Sequence, residues 1–378
     1  MRSKVSKFWF SVVATGSLAF LGFAPPSGVS NSIKAAVNSL KNWGLSNQVS
    51  KSHISAIDAW TIEEGSRSVI VSVIDTGVDP THQDLNKNIW RDSKKEAFVF
   101  GWNFVSNQPN PLDVHGHGTH VAGIIGAMGN PKSGVSGVAH NVSIMAVKYY
   151  SDANPGSVNL ANTVRAINYA VDNGARIINY SGGGPEFSEE EYIAIKRAEA
   201  RGVLVVAAAG NEHQDTDKKD NYYYPAAYRL PNIISVAATD MNNNLLTSSN
   251  WGKTRVDVAA PGERIYSTLP SGRYGYMTGT SQATAFVSGL AALLISKNTK
   301  LTPPEIRTII MSSVDRFPQL EKKLVTGGRV NAYAALIALQ NGKKADGTRS
   351  AAISGSQLQT NLLARQPVSI LNTDTFIK

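Results

Sequence analysis

SVIVSVIDT, residues 68–76, is a mostly β-branched apolar run that ends in an aspartate and a threonine. A run of this length and composition is typical of a strand buried on both faces of a parallel sheet. Similar apolar runs recur at 141–150, 175–181, 202–210 and 232–240. The chain is therefore expected to build a central sheet from several buried parallel strands.

Helical patterns separate these strands. In residues 157–173 the apolar side chains Leu160, Val164, Ile167 and Val171 fall on one stripe of a helix. Further helices are predicted at 117–128, 188–201, 281–297, 303–314 and 328–340. Strands that alternate with helices predict an α/β fold in three layers, with a mainly parallel central sheet and helices on both faces.

In such a sheet, functional sites collect at the carboxyl ends of the strands. Asp75, Ser181 and Asn211 each follow a predicted strand at that edge. These three residues are therefore the first candidates for a site.

Composition excludes several kinds of chemistry. The 378 residues include no cysteine, which rules out disulfides, thiolate catalysis and zinc–thiolate sites. The net charge is +9, but the basic residues are scattered along the chain. This distribution is typical of a solvated basic surface, and no nucleic-acid partner is expected.

The termini differ in composition from the rest of the chain. Residues 1–24 combine Arg2, Lys4 and Lys7 with a short apolar stretch, as a secretory signal peptide does. An uncleaved membrane anchor is the alternative. Residues 25–42 are expected to form a short lead-in or pro-segment, 43–342 the folded domain, and 343–378 a polar tail. We therefore expect a secreted protein, in the medium, the periplasm or at the cell surface, with no stable membrane insertion after processing.

The stretch HGHGTH, residues 115–120, places three histidines in six positions. The spacing alone allows either a metal site or a general base. A serine nucleophile needs such a base, a group that orients the base, and a donor for the oxyanion. The chain offers one candidate for each role: His117, Asp75, Asn211 and, as nucleophile, Ser281 at the start of an apolar helix. Each residue alone also fits an ordinary turn or helix cap.

Five motifs in order resemble those of the subtilisin-like serine proteases (subtilases), over roughly residues 43–340. They are VIDTGVDPTHQDL (73–85), HGTHVAG (117–123), VVAAAGN (205–211), GTSQA (279–283) and GRVNAYAAL (328–336). The resemblance implies a serine endopeptidase with Asp75 as orienting carboxylate, His117 as general base and acid, Ser281 as nucleophile and Asn211 as oxyanion donor. His115 and His120 are then expected to be accessory or structural.

The resemblance also implies where a peptide binds. NYSGGGP (179–185) resembles the segment that pairs with an extended substrate, through backbone groups of Ser181, Gly182 and Gly183. The pocket for the residue before the cut is expected to be lined by Ala208, Ala209 and Gly210. Tyr223 is expected near the floor of that pocket, where its ring would make the pocket shallow and favour smaller side chains. The expected partner is thus a protein or peptide substrate, bound by a monomeric enzyme.

Structural calcium is a further implication of the resemblance. The expected ligands are Asp84, Asn130, Ser133 and Val135, the last three in the loop 129–139. Oxygen ligands of these kinds suit Ca²⁺. No cofactor is expected for catalysis itself.

Two other functions remain open on the sequence. The H-x-H-x-x-H spacing of HGHGTH also occurs in metal-dependent hydrolases, although zinc would need further ligands. A binding protein that keeps the fold without the activity is the other alternative. The triad residues favour the endopeptidase over both.

Overall fold

The computed structural model describes residues 41–46, 52–130, 132–133 and 135–344. The predicted signal peptide, nearly all of the predicted lead-in, and residues 345–378 of the predicted tail lie outside the described residues. No helix in the described ranges is both long enough and apolar enough to cross a membrane.

The described part of the chain alternates strands and helices. The strands are β1 (Gly65–Asp75), β2 (Gly101–Asn103), β3 (Asn141–Lys148), β4 (Ile177–Tyr180), β5 (Leu204–Ala208), β6 (Ile233–Thr239), β7 (Val258–Pro261), β8 (Ile265–Leu269), β9 (Arg273–Met277), β10 (Asp315–Arg316) and β11 (Gly328–Arg329). The helices are α1 (Ala56–Trp60), α2 (His117–Gly126), α3 (Gly156–Asp172), α4 (Glu189–Ala200), α5 (Thr280–Lys297), α6 (Pro303–Ser312), α7 (Pro318–Glu321) and α8 (Ala332–Lys344).

Nine of these strands form one sheet, in the order β10-β11-β7-β6-β5-β4-β1-β3-β2. Every neighbouring pair in it is parallel except β10 with β11. Strands β8 and β9 form a separate antiparallel hairpin. The chain order of the strands changes direction around β1 and β4, which places a crevice for a ligand at their carboxyl ends.

Side chains of β1 alternate between two cores. Val71 and Val73 face a core that also contains residues of α2, α5, α6 and α8, whereas Ile74 faces a core with residues of α3 and α4. Helices therefore cover both faces of the sheet. The predicted three-layer α/β fold with a mainly parallel sheet is confirmed.

One predicted helix begins later than its sequence pattern indicates. The helix expected at 328–340 begins only at Ala332, because Gly328 and Arg329 form the short strand β11 between β7 and β10. The helix then continues to Lys344, two residues beyond the predicted domain end. Periodicity alone did not separate the two segments, since a two-residue strand is too short to show a period of its own.

Candidate active site

Asp75 and His117 meet at the carboxyl edge of the sheet. Asp75 ends β1 and is 3% exposed, while His117 is the first residue of α2. The distance from His117 Nδ1 to Asp75 Oδ1 is 2.8 Å. Because an ionised carboxylate only accepts, Nδ1 carries the proton and Nε2 is left with its lone pair. This is the tautomer that a general base at Nε2 requires.

A glycine permits this close approach of helix and strand. A Cβ on Gly118 would lie 2.1 Å from the carbonyl oxygen of Gly77 and 3.1 Å from Asp75 Cβ. The Gly118 N–H instead donates to Thr76 Oγ1 at 3.0 Å. The first turn of α2 is thereby held against the end of β1.

The charges around His117 favour its protonated form. Burial by itself lowers the pKa of the imidazole, but the charge of Asp75, its hydrogen bond and the charge of Asp113 together outweigh burial and raise the pKa above its ordinary value. An imidazolium that forms here during a reaction is stabilised by the same carboxylates.

Sequence reasoning missed Asp113, which positions the histidine loop. Its Oδ1 accepts from the backbone N–H groups of His115 and Gly116 and from Thr76 Oγ1, and its Oδ2 accepts from the N–H and Oγ1 of Thr119. Asp113 is 6% exposed. The available signal was an aspartate just ahead of a predicted helix start, where carboxylates often cap free N–H groups.

Ser281 is the second residue of α5 and lies at the same edge of the sheet. It is 7% exposed, and its Oγ donates to the carbonyl oxygen of Ser181 at 3.2 Å. Ser181 Oγ in turn lies 3.4 Å from the carbonyl oxygen of Ser281. Both residues belong to the described part of the chain, and within it no hydrogen bond joins Ser281 Oγ to His117. Catalytic hydrogen bonds are often long or absent before substrate binds.

Asn211 turns its amide oxygen towards the first residue of α5. Its Oδ1 accepts from the Thr280 backbone N–H at 2.9 Å and from Thr280 Oγ1 at 3.2 Å. Since a backbone N–H can only donate, the oxygen must be on that side and the NH₂ group on the other. The Ser281 N–H lies in the first turn of α5, where backbone donors have no partner within the helix. Within the described residues, neither Asn211 Nδ2 nor the Ser281 N–H forms a hydrogen bond.

The part of the predicted substrate segment that follows Tyr180 no longer pairs with β1 or β5. Ser181 and Gly182 are half-buried and Gly183 is exposed. Gly184 pairs antiparallel with Tyr224, through hydrogen bonds of 3.0 and 2.8 Å. The N–H groups of Gly182 and Gly183 form no hydrogen bond within the described residues. Because successive N–H groups of a strand point to opposite edges, the Gly183 N–H lies on the edge away from Tyr224, which is free for a peptide.

Tyr223 separates this segment from the end of β5. A Cβ on Gly183 would lie 2.4 Å from Tyr223 Cε1, and a Cβ on Gly210 would lie 3.0 Å from Tyr223 Cδ2. The ring therefore lies between the two stretches predicted to border the pocket. Ala208 and Ala209 are each 1% exposed, so their side chains present almost no surface to a bound peptide.

The three histidines of HGHGTH lie in three different environments. His115 is exposed, with its ring 6.3 Å from that of His117. His120 is fully buried, and its Nε2 lies 3.0 Å from the carbonyl oxygen of Ile265 and 3.2 Å from that of Gly275. Burial lowers the pKa of His120 to about 4. Among the described residues, no three His, Cys, Asp or Glu side chains come together as metal ligands.

The predicted calcium ligands do approach one another, but as a hydrogen-bonded group. Asp84 Oδ1 accepts from Asn130 Nδ2 at 2.8 Å, and Asp84 Oδ2 accepts from the Tyr274 hydroxyl at 2.7 Å. The carbonyl oxygen of Val135 accepts from the Asn130 N–H, and Ser133 Oγ donates to the Asn130 carbonyl. Calcium binds six to eight oxygens, whereas Asn130 here turns its nitrogen towards Asp84. This arrangement does not fit Ca²⁺ as it stands, and calcium at Asp84 stays a prediction.

Comparisons with known proteins match most of the described chain. A model of the subtilase family matches residues 66–344. The chain is 41% identical over 278 residues to the thermophilic serine proteinase of Bacillus sp. (strain AK1), covering 74% of this chain and 64% of that protein. It is 39% identical over 291 residues to thermitase of Thermoactinomyces vulgaris, covering 77% of this chain and 96% of thermitase.

Two solved protease structures also superpose on most of this chain. A protease from Pseudoalteromonas arctica PAMC 21717 superposes with a TM-score of 0.67 at 29% identity, over 79% of this chain and 97% of that one. A cold-adapted subtilisin-like serine proteinase superposes with a TM-score of 0.58 at 31% identity, over 70% and 88% of the two chains.

Proposed function

The chain belongs to the subtilase family, and we propose that it is a serine endopeptidase that cuts peptide bonds with Asp75, His117 and Ser281. The observation that supports this most is the 2.8 Å hydrogen bond between Asp75 and His117 at the edge where α5 presents Ser281. The metal-hydrolase alternative finds no support, since the described residues hold no cluster of metal ligands.

In the proposed reaction, Ser281 Oγ attacks the carbonyl carbon of the scissile bond while His117 Nε2 takes the hydroxyl proton. Asp75 keeps the imidazole in the right tautomer and stabilises its positive charge. Asn211 Nδ2 and the Ser281 N–H donate to the oxyanion. His117 then returns the proton to the amine, which leaves. Water, deprotonated by the same nitrogen, attacks the acyl-enzyme and releases Ser281 and the acid product.

Substrate binding is proposed to use the open edge at Ser181–Gly183. An extended peptide that added a strand there would gain a backbone hydrogen bond from the unpaired Gly183 N–H. The Tyr223 ring between Gly183 and Gly210 supports a shallow pocket for the residue before the cut. A strong preference for Phe or Tyr at that position in a peptide-library digest would refute the shallow pocket.

The central test compares Ser281→Ala with Ser296→Ala, a control in the same helix whose Oγ donates to the Ala292 carbonyl, one turn earlier in α5. Only Ser281→Ala is expected to abolish casein hydrolysis and labelling by a serine-directed phosphonylating reagent. Mass spectrometry of the labelled wild type should locate the phosphonyl group on Ser281. Casein hydrolysis that survives in Ser281→Ala would refute the proposal and favour a metal-dependent or other route. No hydrolysis by the wild type would favour the binding-protein alternative.

Secretion and calcium are separate proposals. Residues 1–24 are proposed to direct export, and amino-terminal sequencing of the mature protein from its native host tests this. Calcium at Asp84 rests on the family resemblance. A rise in Tm on adding Ca²⁺ that Asp84→Asn abolishes would support it, and an equal Tm with and without Ca²⁺ would refute it. Catalysis as proposed needs no cofactor.

A further inference from the structure

A tyrosine hydroxyl occupies the space where residue 182 would carry a side chain. A Cβ built on Gly182 would lie 2.0 Å from Tyr149 Oη, 3.2 Å from Tyr149 Cζ and 3.0 Å from Tyr180 Cε2. Real Cβ atoms do not approach other atoms to 2.0 Å, so Gly182 and the Tyr149 hydroxyl depend on each other.

Tyr149 and Tyr223 lie against opposite faces of the same glycine segment. Successive residues of an extended strand point to opposite faces. A Cβ on Gly183 would meet Tyr223, whereas a Cβ on Gly182 would meet Tyr149. The cleft at Ser181–Gly183 thus has one tyrosine on each side.

The proposed substrate mode decides which peptide side chain meets Tyr149, so this step rests on the proposed function. Ser281 Oγ contacts the Ser181 carbonyl, which places the scissile bond at that end of the segment. In an antiparallel peptide the residue before the cut lies opposite Ser181, and the second residue before the cut lies opposite Gly182. Directly opposed residues point to the same face and lie about 5 Å apart. The second residue before the cut therefore faces Tyr149.

The Tyr149 hydroxyl is fixed and uncharged. The Tyr149 N–H donates to the Asp75 carbonyl at 3.1 Å, and the ring packs edge-on against Tyr180 with centroids 5.5 Å apart. The Tyr180 hydroxyl lies 3.3 Å from Thr163 Oγ1. Burial raises the pKa of Tyr149 well above its ordinary value, so the group stays protonated. A protonated phenol oxygen can still accept a hydrogen bond, so the Tyr149 oxygen can serve as an acceptor.

We propose that Tyr149 is a specificity-determining residue, whose hydroxyl closes the Gly182 face of the cleft and selects small hydrogen-bonding side chains at the second residue before the cut. A serine or threonine there can donate to the Tyr149 oxygen. A leucine or phenylalanine collides with the ring edge and leaves the oxygen without water or a partner, which costs free energy.

The first experiment measures kcat/KM for peptides that differ only at the second residue before the cut, serine against leucine. The wild type is expected to prefer serine, and Tyr149→Phe to reduce that preference about two- to tenfold, the range for one neutral hydrogen bond. Tyr169→Phe is the matched control, because Tyr169 is a partly buried tyrosine of α3 that packs against Trp102 and Phe104. A serine-to-leucine ratio that is the same in Tyr149→Phe and the wild type would overturn the proposal.

The second experiment tests the mutual dependence of residues 149 and 182. Gly182→Ala is expected to lower kcat/KM on peptides at least tenfold, because its Cβ meets the hydroxyl oxygen. Adding Tyr149→Phe removes that oxygen and leaves the nearest atoms at 3.0 and 3.2 Å, so the double variant should recover most of the loss. If Gly182→Ala lost activity only because the protein unfolded, adding Tyr149→Phe would not restore it. Full activity of Gly182→Ala, or no recovery in the double variant, would overturn the proposal.

A small acyl ester with no residues before the reacting carbonyl separates this proposal from the proposed function. Ester hydrolysis by the wild type, together with phosphonylation of Ser281, supports the serine chemistry whatever the peptide preference is. If the wild type does neither, the proposed function fails. If the wild type hydrolyses the ester and is phosphonylated on Ser281, but the serine-to-leucine ratio is the same in Tyr149→Phe, only the assignment of Tyr149 fails.

Discussion

Replacing Asp113 by asparagine is expected to destabilise the protein strongly although Asp113 touches no substrate. Its carboxylate accepts five hydrogen bonds, of 2.7 to 3.0 Å, from Thr76, His115, Gly116 and Thr119. An asparagine has one acceptor oxygen, so its NH₂ group must face donors on one side. Hydrogen bonds to a charged group contribute about 1.5–3 kcal/mol each. The Thr119 hydroxyl can turn to accept from this NH₂ group, but the Thr119 N–H can only donate and loses its acceptor, which costs roughly 1.5–3 kcal/mol.

Urea unfolding measures this cost. The comparison is best made in a Ser281→Ala background, because self-digestion would otherwise distort the transition. Asp172→Asn is the matched control, since Asp172 is 54% exposed and pairs at the surface with Arg197. That variant should change the free energy of unfolding by about 1 kcal/mol or less. A loss of under 1 kcal/mol in Asp113→Asn would show that the carboxylate does not hold the histidine loop.

Asp113→Asn should also shift the pH dependence of activity. The Asp113 charge is one of the causes that raise the pKa of His117. Without it that pKa falls, and the base is neutral at lower pH. The acid limb of kcat/KM is therefore expected to move to lower pH, by less than in Asp75→Asn because the Asp75 charge is the larger cause. An acid limb that stays in place or moves upwards would contradict this reasoning.

Three further changes have defined outcomes. Asn211→Leu should lower kcat on peptides about 10²- to 10³-fold with little change in KM, by analogy with the oxyanion donor of subtilisin. An unchanged kcat would exclude Asn211 from the oxyanion site. Tyr274→Phe removes a hydrogen bond to the buried Asp84 carboxylate and should lower the free energy of unfolding in urea by about 1–3 kcal/mol. Tyr276→Phe, at an exposed position of the same strand, should lower it by almost nothing. Equal free energies of unfolding in the two variants would refute the contact. Burial lowers the pKa of His120 to about 4 in the folded protein, so as the pH falls the unfolded chain takes up this proton before the folded protein does. The free energy of unfolding should therefore fall by roughly 3 kcal/mol between about pH 6.5 and pH 4, and His120→Gln should lack this fall. The same pH dependence of stability in His120→Gln and the wild type would contradict this prediction.

Much of the site followed from local sequence. The apolar run before Asp75 and the apolar run before Asn211 each predicted a buried strand, and the fold places both residues at the carboxyl edge. Parallel strands impose this result, because their carboxyl ends share one edge of the sheet. The start of α2 at His117 and of α5 at Thr280 also agree with their sequence patterns to within a residue.

The sequence by itself predicted five strands of the sheet, β1, β3, β4, β5 and β6, and most of the longer helices, because apolar periodicity and motif spacing are properties of neighbouring residues. Only the tertiary structure decided which side chains meet across long separations. Asp84 contacts Tyr274, 190 positions along the chain, and Ser281 contacts Ser181, 100 positions away. The Tyr149 hydroxyl fills the space beside Gly182 for the same reason. Such contacts depend on where two strands or helices pack and on the direction of each side chain, and no local pattern encodes either.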